Sequence, residues 1–186
     1  MRSPTGLILL CGGARSGKSS YAERLGRRFD AASADARAGV SYLATAPIVD
    51  DDMAERVGRH VAGRPDHWRT IEEQVDLLGA LTRAGNDFVI IDCLTLWVSN
   101  LMWRDRSDEQ IDQLARVTAA AAADRAAPTV VVTNEVGLGV HPEHELGRRY
   151  RDVLGRTNQA WAAAADRSLL LVAGRALLLN DPDDLT

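Results

Sequence analysis

Cysteine is nearly missing from the chain: there are two in 186 residues, Cys11 and Cys93, each inside an apolar run. That excludes a disulfide framework and fits reduced, buried thiols in a cytoplasmic protein better than a metal site. An excess of basic charge is missing too. Lys+Arg 22 against Asp+Glu 26 leaves a net charge of −4, which favours solubility and gives no general field for nucleic acid. No apolar stretch approaches the ~18–20 residues needed to cross a bilayer. The opening MRSPTGLILLCGG superficially resembles a signal peptide, but its apolar run is short and leads straight into a glycine-rich motif, so it reads as a first strand. Internal repeats and Pro/Ser-rich linkers are also lacking. Residues 1–186 therefore read as one domain, with the acidic Asn180–Thr186 (NDPDDLT) expected to fray.

What is present is globular: the apolar fraction is 46% and the charged fraction 26%, both near the averages for folded domains. Short apolar runs at Leu7–Cys11, Val40–Ala44, Phe88–Asp92, Thr129–Thr133 and Ser168–Val172 have the length of buried parallel strands. Longer segments between them carry helical period. Glu143–Asp166 places Leu146, Tyr150, Val153, Leu154 and Trp161 on one stripe, and Asp108–Arg125 does so with Ile111, Leu114 and Val117 before turning alanine-rich. Strand–helix alternation along the chain implies an α/β fold, a mostly parallel sheet with helices on both faces. Ala31–Gly39 (AASADARAG) reads as a loose loop.

The strongest motif is Gly12-Gly13-Ala14-Arg15-Ser16-Gly17-Lys18-Ser19, a gapless G-x-x-x-x-G-K-[ST] after a strand and before a helix. Glycines let the backbone turn with its N–H groups facing inward, a nest for phosphate oxygens. Lys18 can reach the β- and γ-phosphates, Ser19 can place its hydroxyl on Mg²⁺, and the helix start turns its positive end to the anion. The motif points to a nucleoside triphosphate and leaves the acceptor open. Phe88-Val-Ile-Ile-Asp92 supplies the acidic strand end that accompanies such loops, with Asp92 able to hold the metal directly or through water. The plainer role for Asp92 is to cap the next helix, for which Thr95 is another candidate. Asn134 and Glu135 follow a further strand and reach the same rim, where parallel sheets bind ligands.

The segment Ala44–Thr70 is less usual. Asp51 or Asp52 can cap a helix whose buried stripe is Met53, Val57 and Val61. Arg56 and His60 then share one side, with Arg64 just beyond the helix end. An arginine near the imidazole disfavours its protonation, leaving a neutral nucleophile beside cations that attract a polyphosphate. Taken alone, His60 reads sooner as a surface or capped residue than as a nucleophile. His67, beside Trp68, reads as structural. His141 and His144 fit no zinc spacing, and Arg148, Arg149, Arg151 and Arg156 read as a solvated helix face.

Several blocks together resemble the bifunctional adenosylcobinamide kinase/adenosylcobinamide-phosphate guanylyltransferases of cobalamin biosynthesis. They are GGARSGKS (12–19), YLATA (42–46), DDMAERVGRHVAGRPDHWRTIEE (51–73), DCLTLWVSNL (92–101), TNEVGLGVHPEHELGRRYRDVLGRTNQ (133–159) and AAAADR (162–167), in family order. The resemblance implies a RecA-like P-loop NTPase fold, usually a cytoplasmic homotrimer. It implies phosphorylation of adenosylcobinamide by ATP or GTP, followed by GMP transfer from GTP to adenosylcobinamide phosphate through a guanylylated histidine. That histidine corresponds to His60. Nucleotide contacts carry over to Gly12–Ser19, to Ala44, Thr45 and Ala46, to Val61, Ala62, Gly63 and Arg64, and to Glu72 and Asp92, with Mg²⁺ at Ser19 and Asp92. Many members carry glutamate where Asp92 stands, and Ala31–Gly39 is long for the family. Two other functions fit the P-loop alone: a monofunctional small-molecule kinase, and a nucleotide-dependent switch acting on a protein.

Overall fold

The computed structural model describes residues 6–33, 38–47 and 63–185. Its elements are β1 (Leu7–Gly12), α1 (Lys18–Ala32), β2 (Val40–Ala44), β3 (Arg69–Glu72), α2 (Leu77–Ala84), β4 (Phe88–Asp92) and α3 (Leu94–Trp103). Then follow α4 (Asp108–Ala123), β5 (Thr129–Val132), α5 (Glu145–Ala164), β6 (Arg167–Val172) and β7 (Arg175–Leu179), with a final 3₁₀ turn at Pro182–Leu185. The strands form one seven-stranded sheet in the order β3-β2-β4-β5-β1-β6-β7. Every pairing is parallel except β6–β7. The α/β fold with a mostly parallel sheet is thus the observed one.

Alternation along each strand builds two cores. Leu7, Leu9, Val89, Ile91 and Val131 face one way and pack with Leu77 of α2, Trp97 of α3, Ile111 of α4 and Trp161 of α5. Ile8, Leu10, Ile90 and Val130 face the other way, against Ala22 and Leu25 of α1. Burial on both faces is why these strands read as unbroken apolar runs. Ser107 starts α4 with a full capping box, its hydroxyl accepting from Gln110 N–H while the Gln110 side chain accepts from Ser107 N–H.

The five expected strands are present. Two more join them. Within β3, the sequence Arg-Thr-Ile-Glu is mostly exposed at the sheet edge, so it carries no apolar signature. β7 is apolar but fully exposed. It follows a tight turn in which Ala173 and Gly174 both have positive φ, and it continues the β6 run almost without interruption. The tail expected to fray contains the 3₁₀ turn, where Asp183 N–H donates to the Asp181 carboxylate at 3.0 Å. The Asp51–Val61 stripe lies outside the described residues, as does the centre of the Ala31–Gly39 loop.

Candidate active site

All parallel strands end on one rim, and the motif residues collect there. The loop after β1 turns through Gly12 at φ 150°, Arg15 at 57° and Gly17 at 97°. A Cβ on Gly12 would meet the Leu171 carbonyl oxygen at 2.3 Å, so only glycine fits. Lys18 is buried, and its Nζ donates to the carbonyls of Gly12 at 2.8 Å and Gly13 at 2.6 Å. Burial pulls its pKa below that of an ordinary lysine, while Cys11, Cys93 and Asp92 pull the other way. Asp92 is therefore an electrostatic neighbour of the loop lysine, as a metal-linked carboxylate requires. Gly13, Ala14 and Arg15 are exposed, Ser16 is buried and Ser19 half-buried in the first turn of α1.

The ends of β2 and β4 are tied together. Thr45 N–H donates to the Asp92 carbonyl at 3.1 Å, and Cys93 N–H donates to Thr45 Oγ1 at 2.7 Å. Asn100 of α3, buried, donates from Nδ2 to the carbonyls of Thr45 at 2.8 Å and Gln74 at 3.1 Å. Glu73 N–H donates to the Ala44 carbonyl at 3.0 Å. Ala46 and Glu72 thereby come to line one cavity of about 480 Å³ together with Glu73, Gln74, Val75 and Arg104. Burial and the Asp92 charge push the Cys93 thiol up to about 11, so it stays protonated and unreactive at neutral pH.

Asn100→Ala leaves the buried Thr45 carbonyl and the half-buried Gln74 carbonyl short of a donor. The expected cost is about 2–3 kcal/mol, read as a melting temperature lower by roughly 5–10 °C. An unchanged melting temperature would contradict this role.

The β5 end is anchored in the same way. Asn134 N–H donates to Thr95 Oγ1 at 2.9 Å, and Glu135 N–H donates to the Gly12 carbonyl at 3.2 Å. The Thr95 hydroxyl therefore ties β5 to α3, and α3 starts at Cys93 with no side-chain cap. The Thr95 hydroxyl, a candidate cap in the sequence, is thus spent on β5 instead. Asn158 of α5 accepts from Thr133 Oγ1 at 2.7 Å and donates to the Asn134 carbonyl at 3.1 Å. No local pattern singles out Tyr42, Asn100 or Asn158, because each matters through partners far along the chain.

His60, Val61 and Ala62 lie outside the described residues. Gly63 and Arg64 are held to α1: the Gly63 carbonyl accepts from Arg27, and Arg64 Nε lies 3.9 Å from the Glu23 carboxylate. His67 Nε2 and Trp68 Nε1 both meet Asp30 Oδ2, at 2.7 and 3.2 Å, a structural use of His67. The arginine face of α5 is paired rather than simply solvated. Arg149 Nε reaches Asp108 at 2.7 Å, Arg156 Nε reaches Asp112 at 2.9 Å, and Arg151 meets His141 Nδ1 at 2.7 Å.

Among the described residues, no group of three or more His, Cys, Asp or Glu could hold a metal by itself. The Ser19 hydroxyl and the Asp92 carboxylate are hard oxygen donors of the kind Mg²⁺ takes when substrate phosphates and water complete its shell. The residues fit such an ion. No helix among the described residues is long and apolar enough to cross a membrane.

Comparison with known proteins adds to this geometry. Residues 8–179 match the model of a family described as cobinamide kinase / cobinamide phosphate guanyltransferase. The bifunctional adenosylcobalamin biosynthesis protein CobU of Salmonella typhimurium is 42% identical over 182 residues, covering 90% of this chain and 96% of that protein. CobU of Escherichia coli is 40% identical over the same shares. The bifunctional adenosylcobalamin biosynthesis protein CobP of Pseudomonas aeruginosa is 41% identical over 175 residues, covering 92% of this chain and 96% of its own.

Proposed function

Because the chain belongs to the cobinamide kinase / cobinamide phosphate guanyltransferase family, we propose that it carries out both reactions on the adenosylated corrinoid. In the first, ATP or GTP gives its γ-phosphoryl group to the aminopropanol hydroxyl of adenosylcobinamide. In the second, His60 attacks the α-phosphorus of GTP, the bond to pyrophosphate breaks, and GMP stays on the imidazole. The phosphate of adenosylcobinamide phosphate then attacks that phosphorus, the P–N bond breaks, and adenosylcobinamide-GDP leaves.

The chain's residues divide this work. The loop amides from Gly13 to Ser19 and the Lys18 ammonium hold the phosphates and spread their charge. Mg²⁺, held through Ser19 and Asp92, would neutralise the phosphate oxygens and align them for in-line displacement. Ala44, Thr45, Ala46 and Glu72, at the ends of β2 and β3, would take the guanine nucleotide together with Val61, Ala62, Gly63 and Arg64, which follow the histidine in sequence. The observation that carries this reading is the shared rim: phosphate loop, Asp92 and the Ala46–Glu72 cavity stand at the same edge of one parallel sheet. Incubation with adenosylcobinamide, ATP, GTP and Mg²⁺ tests it. Chromatography with mass detection should show adenosylcobinamide phosphate and then adenosylcobinamide-GDP. Accumulation of the phosphate alone would leave a kinase.

A cytoplasmic homotrimer belongs to the same proposal, and the sheet edge supports self-association. Among the described residues β7 pairs only with β6, and it exposes Leu177 at 62% and Leu178 at 61% on its two faces. An exposed apolar edge strand is a pairing surface that soluble proteins otherwise blunt with charge. Leu177→Glu combined with Leu178→Glu should shift sedimentation from trimer to monomer, while wild-type mass in the variant would remove β7 from the interface.

A further inference from the structure

Tyr42 stands in the middle of β2, 2% exposed, on the α1 face of the sheet. Its hydroxyl donates to Asp92 Oδ2 at the end of β4. Its ring carries the Arg64 guanidinium, with Cζ 3.3 Å from the ring centroid. The Arg64 side chain is 7% exposed, and its Nε and Nη1 are buried without a hydrogen-bond partner among the described residues. The desolvated guanidinium is held by the ring face together with the Glu23 carboxylate, 3.9 Å from Nε. Against a carboxylate the phenol is the donor of the pair. One side chain thus touches both halves of the site. It holds the carboxylate beside the phosphate loop and seats the arginine that follows His60 by four residues in sequence.

We propose that Tyr42 is a positioning residue for this site, its hydroxyl fixing the Asp92 carboxylate for the metal and its ring seating Arg64 at the end of the histidine segment. The inference rests on the role given above to Asp92 as the metal-side carboxylate. With Oδ2 tied to the phenol, the carboxylate cannot rotate freely, and its other oxygen is presented in one direction. Partners that orient metal-binding groups commonly set about 10–100-fold in metal affinity. The two tasks are separable, since phenylalanine keeps the ring and loses the hydroxyl, whereas leucine loses both.

The test uses Mn²⁺ as the probe, titrated into protein saturated with a non-hydrolysable GTP analogue, with free Mn²⁺ followed by electron paramagnetic resonance. Tyr42→Phe should raise the Mn²⁺ Kd by about 10-fold, Asp92→Asn by at least as much, and the double variant no further than Asp92→Asn alone. Metal-free binding of the analogue should be unchanged in Tyr42→Phe and several-fold weaker in Tyr42→Leu. Melting temperature checks that each variant is folded. A raised Kd in Asp92→Asn with none in Tyr42→Phe would overturn the positioning role and leave the role of Asp92 standing. A Kd unmoved by Asp92→Asn would remove Asp92 from the metal, and the positioning role with it. Wild-type metal-free affinity in Tyr42→Leu would overturn the part played by the ring.

Discussion

His60→Ala should separate the two reactions. Guanylyl transfer is expected to fall by ~10³-fold or more, because the covalent step has no other nucleophile to use. Phosphorylation of adenosylcobinamide should stay within a few-fold of wild type. The groups proposed to serve it, Lys18, Ser19 and Asp92, come from α1 and the end of β4, and none depends on an imidazole. Arg56 stands four residues before His60 in sequence. Its charge remains in the variant, so GTP affinity should drop only slightly. Separate assays of the two half-reactions, with GTP binding by fluorescence, decide the matter. Guanylyl transfer at the wild-type rate would exclude His60 as the carrier.

Lys18→Ala is expected to do the opposite and strike both reactions, each by ~100-fold or more. In the structure the ammonium is buried and bonded to the carbonyls of Gly12 and Gly13, so it is the fixed positive charge inside the loop. In the proposed reactions both transfers place a polyphosphate there, and losing the charge leaves only amide dipoles to meet it. The buried position also has a consequence for pH. Burial lowers the lysine pKa, so rising pH removes its charge earlier than from an exposed lysine. Both activities should therefore fall together on the alkaline side, ahead of ordinary lysine titration. A variant that loses only one reaction would mean that the two nucleotides do not share this loop.

The sequence made the phosphate loop legible because its chemistry is contiguous: eight successive residues carry the turn, the lysine and the hydroxyl. β1, β2, β4, β5 and β6 were legible because burial makes them short, nearly unbroken apolar runs. β3 was not, since an exposed edge strand has no such pattern. Nor was β7, a short run after a tight turn whose leucines are exposed. The ties that shape the rim were beyond reach for another reason. Asn100 bonds to Thr45 across 55 positions and Tyr42 to Asp92 across 50, and no local periodicity announces such pairs. His60 was legible only in part. Spacing set it beside Arg56, but its role as a nucleotide carrier came from resemblance to a family, and the described residues begin again only at Gly63.

The most direct measurement of the central claim is to incubate the protein with Mg²⁺ and GTP labelled at the α-phosphate, denature it, digest it and map the label. The expected result is acid-labile, alkali-stable label on the peptide containing His60, with none from γ-labelled GTP. Label on another peptide would move the nucleophile, and the absence of α-label from protein that binds GTP would contradict the two-step transfer.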